Sequence, residues 1–287
     1  MRSFYKAHSL GVLCDLLGFS RQAYYGRLWQ KESERFEGAL MLGLVNEVRS
    51  EQPRIGGRKL FFLLQSAFLM HGLKIGRDKF FDFLRQEGLM MRVVRKRAQT
   101  TQSRHWLHKY PYLCRDWAPS VAEQLWVSDI TYLRAGDRFV YLMLILDAYS
   151  RRIMGWQLSP TLDAAFCVQA LRQALAERQY PQRQLMHHSD RGVQYCSEAY
   201  TALLQQQQVR ISMTQSGSPY DNAQAERLNG ILKGEFLLDQ TFENLEAARQ
   251  VVAKSVQVYN EKRPHASCDY LTPLQAHQQS GELQKRW

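Results

Sequence analysis

The sequence predicts an α/β protein: a mixed five-stranded sheet with helices on its faces, preceded by an all-α, basic region of helix-turn-helix type. Three observations point there. The whole excess of positive charge lies in the first two-fifths of the chain. That same part shows only helical periodicity. From Glu123 onward strand-length apolar runs take over, first in succession and then alternating with helices.

At 287 residues the chain is long enough for two or three domains with a well-buried core. Its net charge is +11; residues 1–120 hold 21 Lys/Arg against 10 Asp/Glu, and residues 121–287 hold 17 of each. Such asymmetry predicts a nucleic-acid-binding part joined to a neutral one, although charge alone does not decide, since many basic domains bind no nucleic acid. No stretch approaches the roughly 18 apolar residues of a membrane span. The N-terminal Met1-Arg2-Ser3-Phe4-Tyr5-Lys6 lacks the apolar core of a signal peptide. A cytoplasmic protein without membrane attachment is expected. Cys14, Cys114, Cys167, Cys196 and Cys268 are scattered with no Cys-x-x-Cys pair, which argues against a disulfide framework or a cysteine zinc site.

Residues 1–35 read as a helix-turn-helix-like segment. Leu10, Leu13, Leu16 and Leu17 recur at helical spacing, Gly18 is a helix stop, and Ser20 caps a second helix carrying Arg21, Tyr24, Tyr25 and Arg27. A plain helical hairpin is the alternative; Arg21 is the candidate DNA contact. Residues 36–92 form a second helical module. Leu40, Leu44, Val45 and Val48 mark a helix ended by Pro53. Another follows over Arg58–Met70, with Arg58 as candidate contact, and a third over Arg77–Gln86 with a Phe-rich core face. Residues 93–120 form a basic linker. Lys96 and Arg97 lie in its basic run, and Trp106, Tyr110, Tyr112 and Trp117 follow, a mixture suited to phosphate contact and base stacking. A solvated connector with its aromatics tucked onto neighbours is the other reading.

The catalytic-type core is expected over residues 121–240. Leu125–Leu133 is apolar on both faces, hence central. Phe139–Asp147 follows across a Gly136 turn, then a strand over Arg151–Leu158, a helix over Asp163–Arg178 and a strand over Gln184–His188. A helix over Ser197–Gln207, a strand over Val209–Met213 and a helix over Asn222–Phe236 complete it. The last helix opens after the loop Gly217-Ser218-Pro219. Residues 241–287 are expected as a C-terminal helical extension with a long helix over Glu243–Asn260. The order β-β-β-α-β-α-β-α-α is that of a ribonuclease H-like fold.

Three acids stand out. Asp129 sits in mid-strand, where a charge is costly unless paired, and a cation would pair it. Asp190 follows the fourth strand, at the kind of strand end where sites gather. Glu226 shares one helix face with Asn222, Asn229 and Lys233. Each acid alone reads as a surface carboxylate or cap; the three together predict a metal site. His188, and less so His187, either tunes a ligand or contacts a scissile phosphate, or else packs at the strand end. Asp147, at the end of the second strand, reads as a turn or helix-cap residue, with assistance to the site as the alternative; Asp221 reads as part of the turn before the Glu226 helix.

Asp129, Asp190 and Glu226, with 35 residues between the last two, resemble the DDE signature of transposases and retroviral integrases. Lys233 resembles the basic residue that follows that glutamate. Leu125–Leu133, His188–Tyr195, Ser218–Leu232, the tail Tyr259–His265 and Thr272-Pro273 resemble OrfB proteins of the insertion-sequence-three family, as do Leu13–Tyr25 and Arg54–Leu64. Unlike retroviral integrases, the chain has no His-His-Cys-Cys zinc module. It also has no leucine-zipper heptads, which the family usually carries on its companion OrfA.

The resemblance implies a DNA transposase that cleaves element ends and transfers the strand into target DNA by phosphodiester transesterification. It implies two Mg²⁺ or Mn²⁺ ions on the three acids, one activating the attacking oxygen and one stabilising the leaving oxygen. Lys233 would contact the DNA backbone. Asn222 and Asn229 would orient ligands or DNA, with a capping role for Asn222 as the alternative. The implied partners are terminal inverted repeats and target DNA, an OrfA companion or OrfAB fusion, and further copies of the chain assembled on DNA. The rival readings are a DNA-binding regulator with an inactive integrase-like domain and a nuclease acting on RNA–DNA hybrids.

Overall fold

Local signals set the first helices of the chain. The computed structural model describes residues 9–91, 105–115, 117–215 and 222–285. Helix α1 (Leu10–Leu16) starts on Ser9, whose Oγ accepts from the Val12 N–H at 3.4 Å, and Gly18, at φ +69°, follows its end. Ser20 Oγ accepts from the Ala23 N–H at 3.0 Å and opens α2 (Arg21–Glu51). Here the expectation is corrected. One helix of 31 residues replaces two, so the boundary expected between residues 35 and 36 falls inside it. Apolar periodicity lapses over Lys31–Glu37, but Lys, Glu and Arg are good helix formers and no proline interrupts them. Helices α3 (Gly57–Met70) and α4 (Arg77–Gln86) follow.

The chain divides into two compact units, Met1–Val48 with Leu64–Leu89, and Arg49–Leu63 with Met90–Trp287. The first buries Leu13, Met41, Val45, Phe68, Phe80 and Leu84, and its Phe68 and Phe80 rings stand 5.6 Å apart. Residues 49–63, expected within the helical module, belong to the second unit.

The second unit is built on a sheet. Its elements are β1 (Leu125–Ala135), β2 (Arg138–Asp147), β3 (Ile153–Ser159), α5 (Ala164–Ala176) and β4 (Met186–Ser189), then α6 (Val193–Cys196), α7 (Glu198–Gln206), β5 (Arg210–Met213) and α8 (Ala223–Glu235). After these come β6 (Thr241–Phe242), α9 (Leu245–Lys262) and α10 (Pro273–His277). The strand order is β3-β2-β1-β4-β5, the ribonuclease H-like order, with β1–β3 antiparallel and β4 and β5 parallel to β1. Strand β6 adds a short sixth member beside the far end of β1; two residues carry no periodicity by which a sequence could reveal them.

Alternation along the strands makes two cores. Leu125, Val127, Leu142 and Leu144 face Leu228 and Leu232 of α8 and Val252 of α9. Trp126, Met143 and Ile145 face Cys167 and Leu171 of α5 and Leu204 of α7. The expected C-terminal extension is not separate. Strand β6 pairs with β1, α9 enters the core, and Asn260 bonds both the N–H and the carbonyl of Ile153 at 2.9 Å. All five cysteines are buried and none forms a disulfide. Among the described residues no helix is long and apolar enough to cross a membrane.

Strand β3 and helix α5 touch through backbone. A Cβ on Gly155 would stand 2.3 Å from the Ala170 carbonyl and 2.9 Å from Ala174 Cβ. Gly155→Val is expected to cost about 3 kcal/mol or more, because backbone cannot yield as a side chain can. Thermal unfolding followed by circular dichroism reads this, and an unchanged midpoint would refute the close approach.

Candidate active site

The β1–β4 ladder ends close to the first two acids. Strands β1 and β4 pair in parallel as Leu125↔Met186, Trp126↔His187 and Val127↔His188, where pairing stops. Two residues beyond that last pair stand Asp129, still within β1, and Asp190, just past the end of β4, near enough for the charge of Asp190 to act on Asp129. Strand β6 joins β1 only at Arg134. Between these pairings, that side of β1 faces no strand among the described residues.

Helix α8 lies against this opened stretch. Asn222 donates from Nδ2 to the Ser128 carbonyl at 2.8 Å, and Asn229 Nδ2 donates to Asp129 Oδ2 at 2.8 Å. Asp129 Oδ1 accepts from the Ile130 N–H at 2.9 Å, and Asp190 Oδ1 accepts from the Gly192 N–H at 2.9 Å. Glu226 is exposed in the first turn of α8, three residues before Asn229. Asn222 occupies the N-cap position but makes no side-chain cap bond. Its second amide atom, Oδ1, is buried without a partner, as is that of Asn229.

The electrostatics join all three acids. Burial first, and then the charge of Asp190, push the Asp129 carboxyl up to about 7; Glu226 adds to the rise, while Ile130 N–H and Asn229 oppose it. In this arrangement no three His, Cys, Asp or Glu side chains among the described residues are close enough together to hold a metal ion. The donor chemistry nevertheless fits one: oxygen-only ligands whose mutual repulsion a hard divalent cation would relieve.

The other candidates separate. Lys233 is half-buried with its ammonium 4.4 Å above the Tyr132 ring; burial lowers its pKa and Asp129 opposes that. Tyr132 was not singled out from sequence, because its alternation in β1 marks it only as a strand residue. His188 is corrected as a candidate DNA contact. It is buried, bonds Ser212 Oγ at 2.9 Å through Nδ1 and stacks on Tyr112, so its ring faces the interior. His187 is buried against Tyr200; burial, and then His188, lower its pKa to about 3, which keeps it neutral. Asp147 is a turn acceptor, bonded by the Glu123 and Ser150 N–H groups, and takes no part in the site. Arg21 and Arg58 are exposed. Lys96, Arg97, Asp221 and the Gly217-Ser218-Pro219 loop lie outside the described residues. Within the linker, Tyr110 and Tyr112 pack against the core, whereas Trp106 is 92% exposed beside His105, whose Nε2 donates to the Arg191 carbonyl at 2.7 Å.

A sheet with helices on both faces, two acids beyond the end of the β1–β4 ladder and a third on the helix against it define an integrase-type core. Two models of the integrase core domain match, over residues 119–219 and 207–273. The chain is 32% identical over 265 residues to the insertion element IS600 uncharacterized 31 kDa protein of Shigella sonnei, covering 91% of this chain and 96% of that one. It is 37% identical over 194 residues to transposase InsF for insertion sequence IS3A of Escherichia coli strain K12, covering 67% of each. Among solved structures it is similar to a chain of the simian T-cell lymphotropic virus intasome in complex with PP2A regulatory subunit B56 gamma. That likeness has 15% identity and a TM-score of 0.48, and covers 78% of this chain and 75% of that one. The chain belongs to the IS3 family of transposases, enzymes of the Asp-Asp-Glu type.

Proposed function

We propose that this transposase cleaves DNA at the ends of its element and joins them to target DNA, with Asp129, Asp190 and Glu226 as ligands of two Mg²⁺ or Mn²⁺ ions. The observation that carries the reading is the mid-strand Asp129 carboxyl, on which the charges of both Asp190 and Glu226 act. Bound ions would supply Lewis acidity to the attacking and leaving oxygens of an in-line displacement. The chain does the rest. Asn229 holds Asp129 Oδ2, and Asn222 pins the start of α8 to β1. Lys233, braced over Tyr132 by a cation–π contact, donates to a DNA phosphate.

Residues 1–35, 36–92 and 93–120 grip DNA, with Arg21, Arg58, Lys96 and Arg97 as phosphate contacts; the charge asymmetry supports this. The partners in this reading are an OrfA companion or OrfAB fusion and further copies of the chain on the inverted repeats. The test incubates the chain, alone and fused to its upstream frame, with element-end DNA and Mg²⁺ or Mn²⁺. Mg²⁺-dependent nicking and joining are expected, reduced at least about 10²-fold by Glu226→Gln. A duplex bound but never cut under any of these conditions overturns the proposal.

A further inference from the structure

The tail Tyr259–His265 takes no part in the three-acid site, yet its most buried cation reaches the helix that carries Glu226. Arg263 has a side chain only 2% exposed and forms a bidentate pair with Glu235, the last residue of α8: Nε to Oε2 at 2.8 Å and Nη2 to Oε1 at 2.9 Å. Lys59, on α3, donates to the same Oε1 at 2.7 Å, and the Arg54 N–H donates to the Glu235 carbonyl at 3.0 Å. His265 Nε2 accepts from Arg263 Nη1 at 2.7 Å. Every strand of this knot lies in the second unit.

The opposite end of α8 is held by different bonds, from Asn222 to the Ser128 carbonyl and from Arg151 to Gln224. Helix α8 is thus fastened at both ends, with Glu226, Asn229 and Lys233 on the face between. Charged groups at the Glu235 end cost desolvation that apolar packing would avoid; what they add is directional geometry. A bidentate guanidinium and one ammonium on a single carboxylate fix the helix end against sliding or rotation.

We propose that Glu235, with Arg263 and Lys59, is a positioning clamp that sets the placement of Glu226 against Asp129 and Asp190. Lys59 then serves the chemistry, one position from the exposed Arg58 that the reading above assigns to DNA. The clamp rests on the three-acid reading above, since its effect is read at the metal site.

The test uses the full chain carrying Glu235→Gln, and Lys59→Met as a milder variant that keeps the Arg263–Glu235 pair. Three quantities are measured: the Mg²⁺ concentration for half-maximal cleavage, the rise in unfolding temperature on adding Mg²⁺ without DNA, and the affinity for element-end DNA. Glu235→Gln is expected to raise the Mg²⁺ requirement about 10-fold and to shrink the Mg²⁺-induced thermal shift, with DNA affinity unchanged. Lys59→Met shifts both in the same direction by less, and Arg263→Lys recovers part of what Arg263→Ala loses. If Glu235→Gln fails to fold, Lys59→Met carries the decision. A folded variant with the wild-type Mg²⁺ requirement and thermal shift sinks the clamp alone. Wild-type protein showing neither Mg²⁺-dependent cleavage nor a Mg²⁺-induced thermal shift sinks the three-acid reading itself.

Discussion

Asp129→Asn is expected to make the metal-free protein more stable near pH 8 while removing Mg²⁺-dependent cleavage and joining. In the folded chain the Asp129 carboxyl ionises at about 7, because burial and then Asp190 disfavour its charge. In the unfolded chain it ionises near 3.9. Between those values the folded state holds the proton that the unfolded state has lost. Asp129 therefore subtracts stability progressively as pH rises from about 4 to about 7, and in full above that. Asparagine carries no charge to repel. The gain is expected to be about 1–3 kcal/mol near pH 8, a few degrees of melting temperature, and close to nothing near pH 4. Calorimetry with a chelator present reads it, and equal effects at the two pH values would refute the charge argument. Added Mg²⁺ should raise the melting temperature of the wild type and not of the variant. Activity should fall at least about 10³-fold, since the proposed metal ligand is lost rather than weakened. Joining at the wild-type rate would remove Asp129 from the chemistry.

Glu123→Ala is expected to cost about 3–5 kcal/mol, the range for breaking a buried ion pair from one side. Glu123 is fully buried just before β1. It accepts from Arg178 Nε at 3.0 Å, from the N–H groups of Gln179 and Tyr180 at 2.6 and 3.2 Å, and from His277 Nε2 at 3.2 Å. Burial alone would raise its pKa; the bonds from His277, Gln179, Arg178 and Tyr180 outweigh that and hold it at about 2. Its pH signature is opposite to that of Asp129. The contribution is complete above about 4.5 and drains away as pH falls toward about 2. Alanine also loosens α10, because His277 loses the carboxylate at Nε2 and keeps its Nδ1 bond to Ser150 Oγ. Denaturant melts at pH 7 and pH 3 separate the two acids: the Glu123→Ala deficit should shrink in acid. A deficit below about 1 kcal/mol at pH 7 would show that water replaces the carboxylate without loss.

Much of the fold is legible in the chain because it is written locally. Strand-length apolar runs bounded by turn residues located β1 to β5 within a few residues, since a short run apolar on both faces suits a central strand. Gly18 and Ser20 marked the end of α1 and the start of α2, because a left-handed residue and a cap act within one turn. The far end of α2 was misread, because apolar spacing reports which face is buried and not whether a polar stretch stays helical. His188 was misread for a related reason: adjacency to Asp190 in sequence does not say which way a strand residue points, and it points inward.

The sequence by itself determined which residues carry charge into the sheet, the order of strands β1 to β5 along the chain and the shared face of Glu226, Asn229 and Lys233. All of these follow from spacing along one segment. Only the tertiary structure decided that Asp129 and Asp190 come near each other beyond the point where β1 and β4 stop pairing, and that Asn222 and Asn229 stitch α8 to the opened strand. It also decided that Lys59 and Arg263, 204 positions apart, meet on Glu235. Register and long-range ion pairing are settled by what else packs in the same volume, and no window along the chain contains that information.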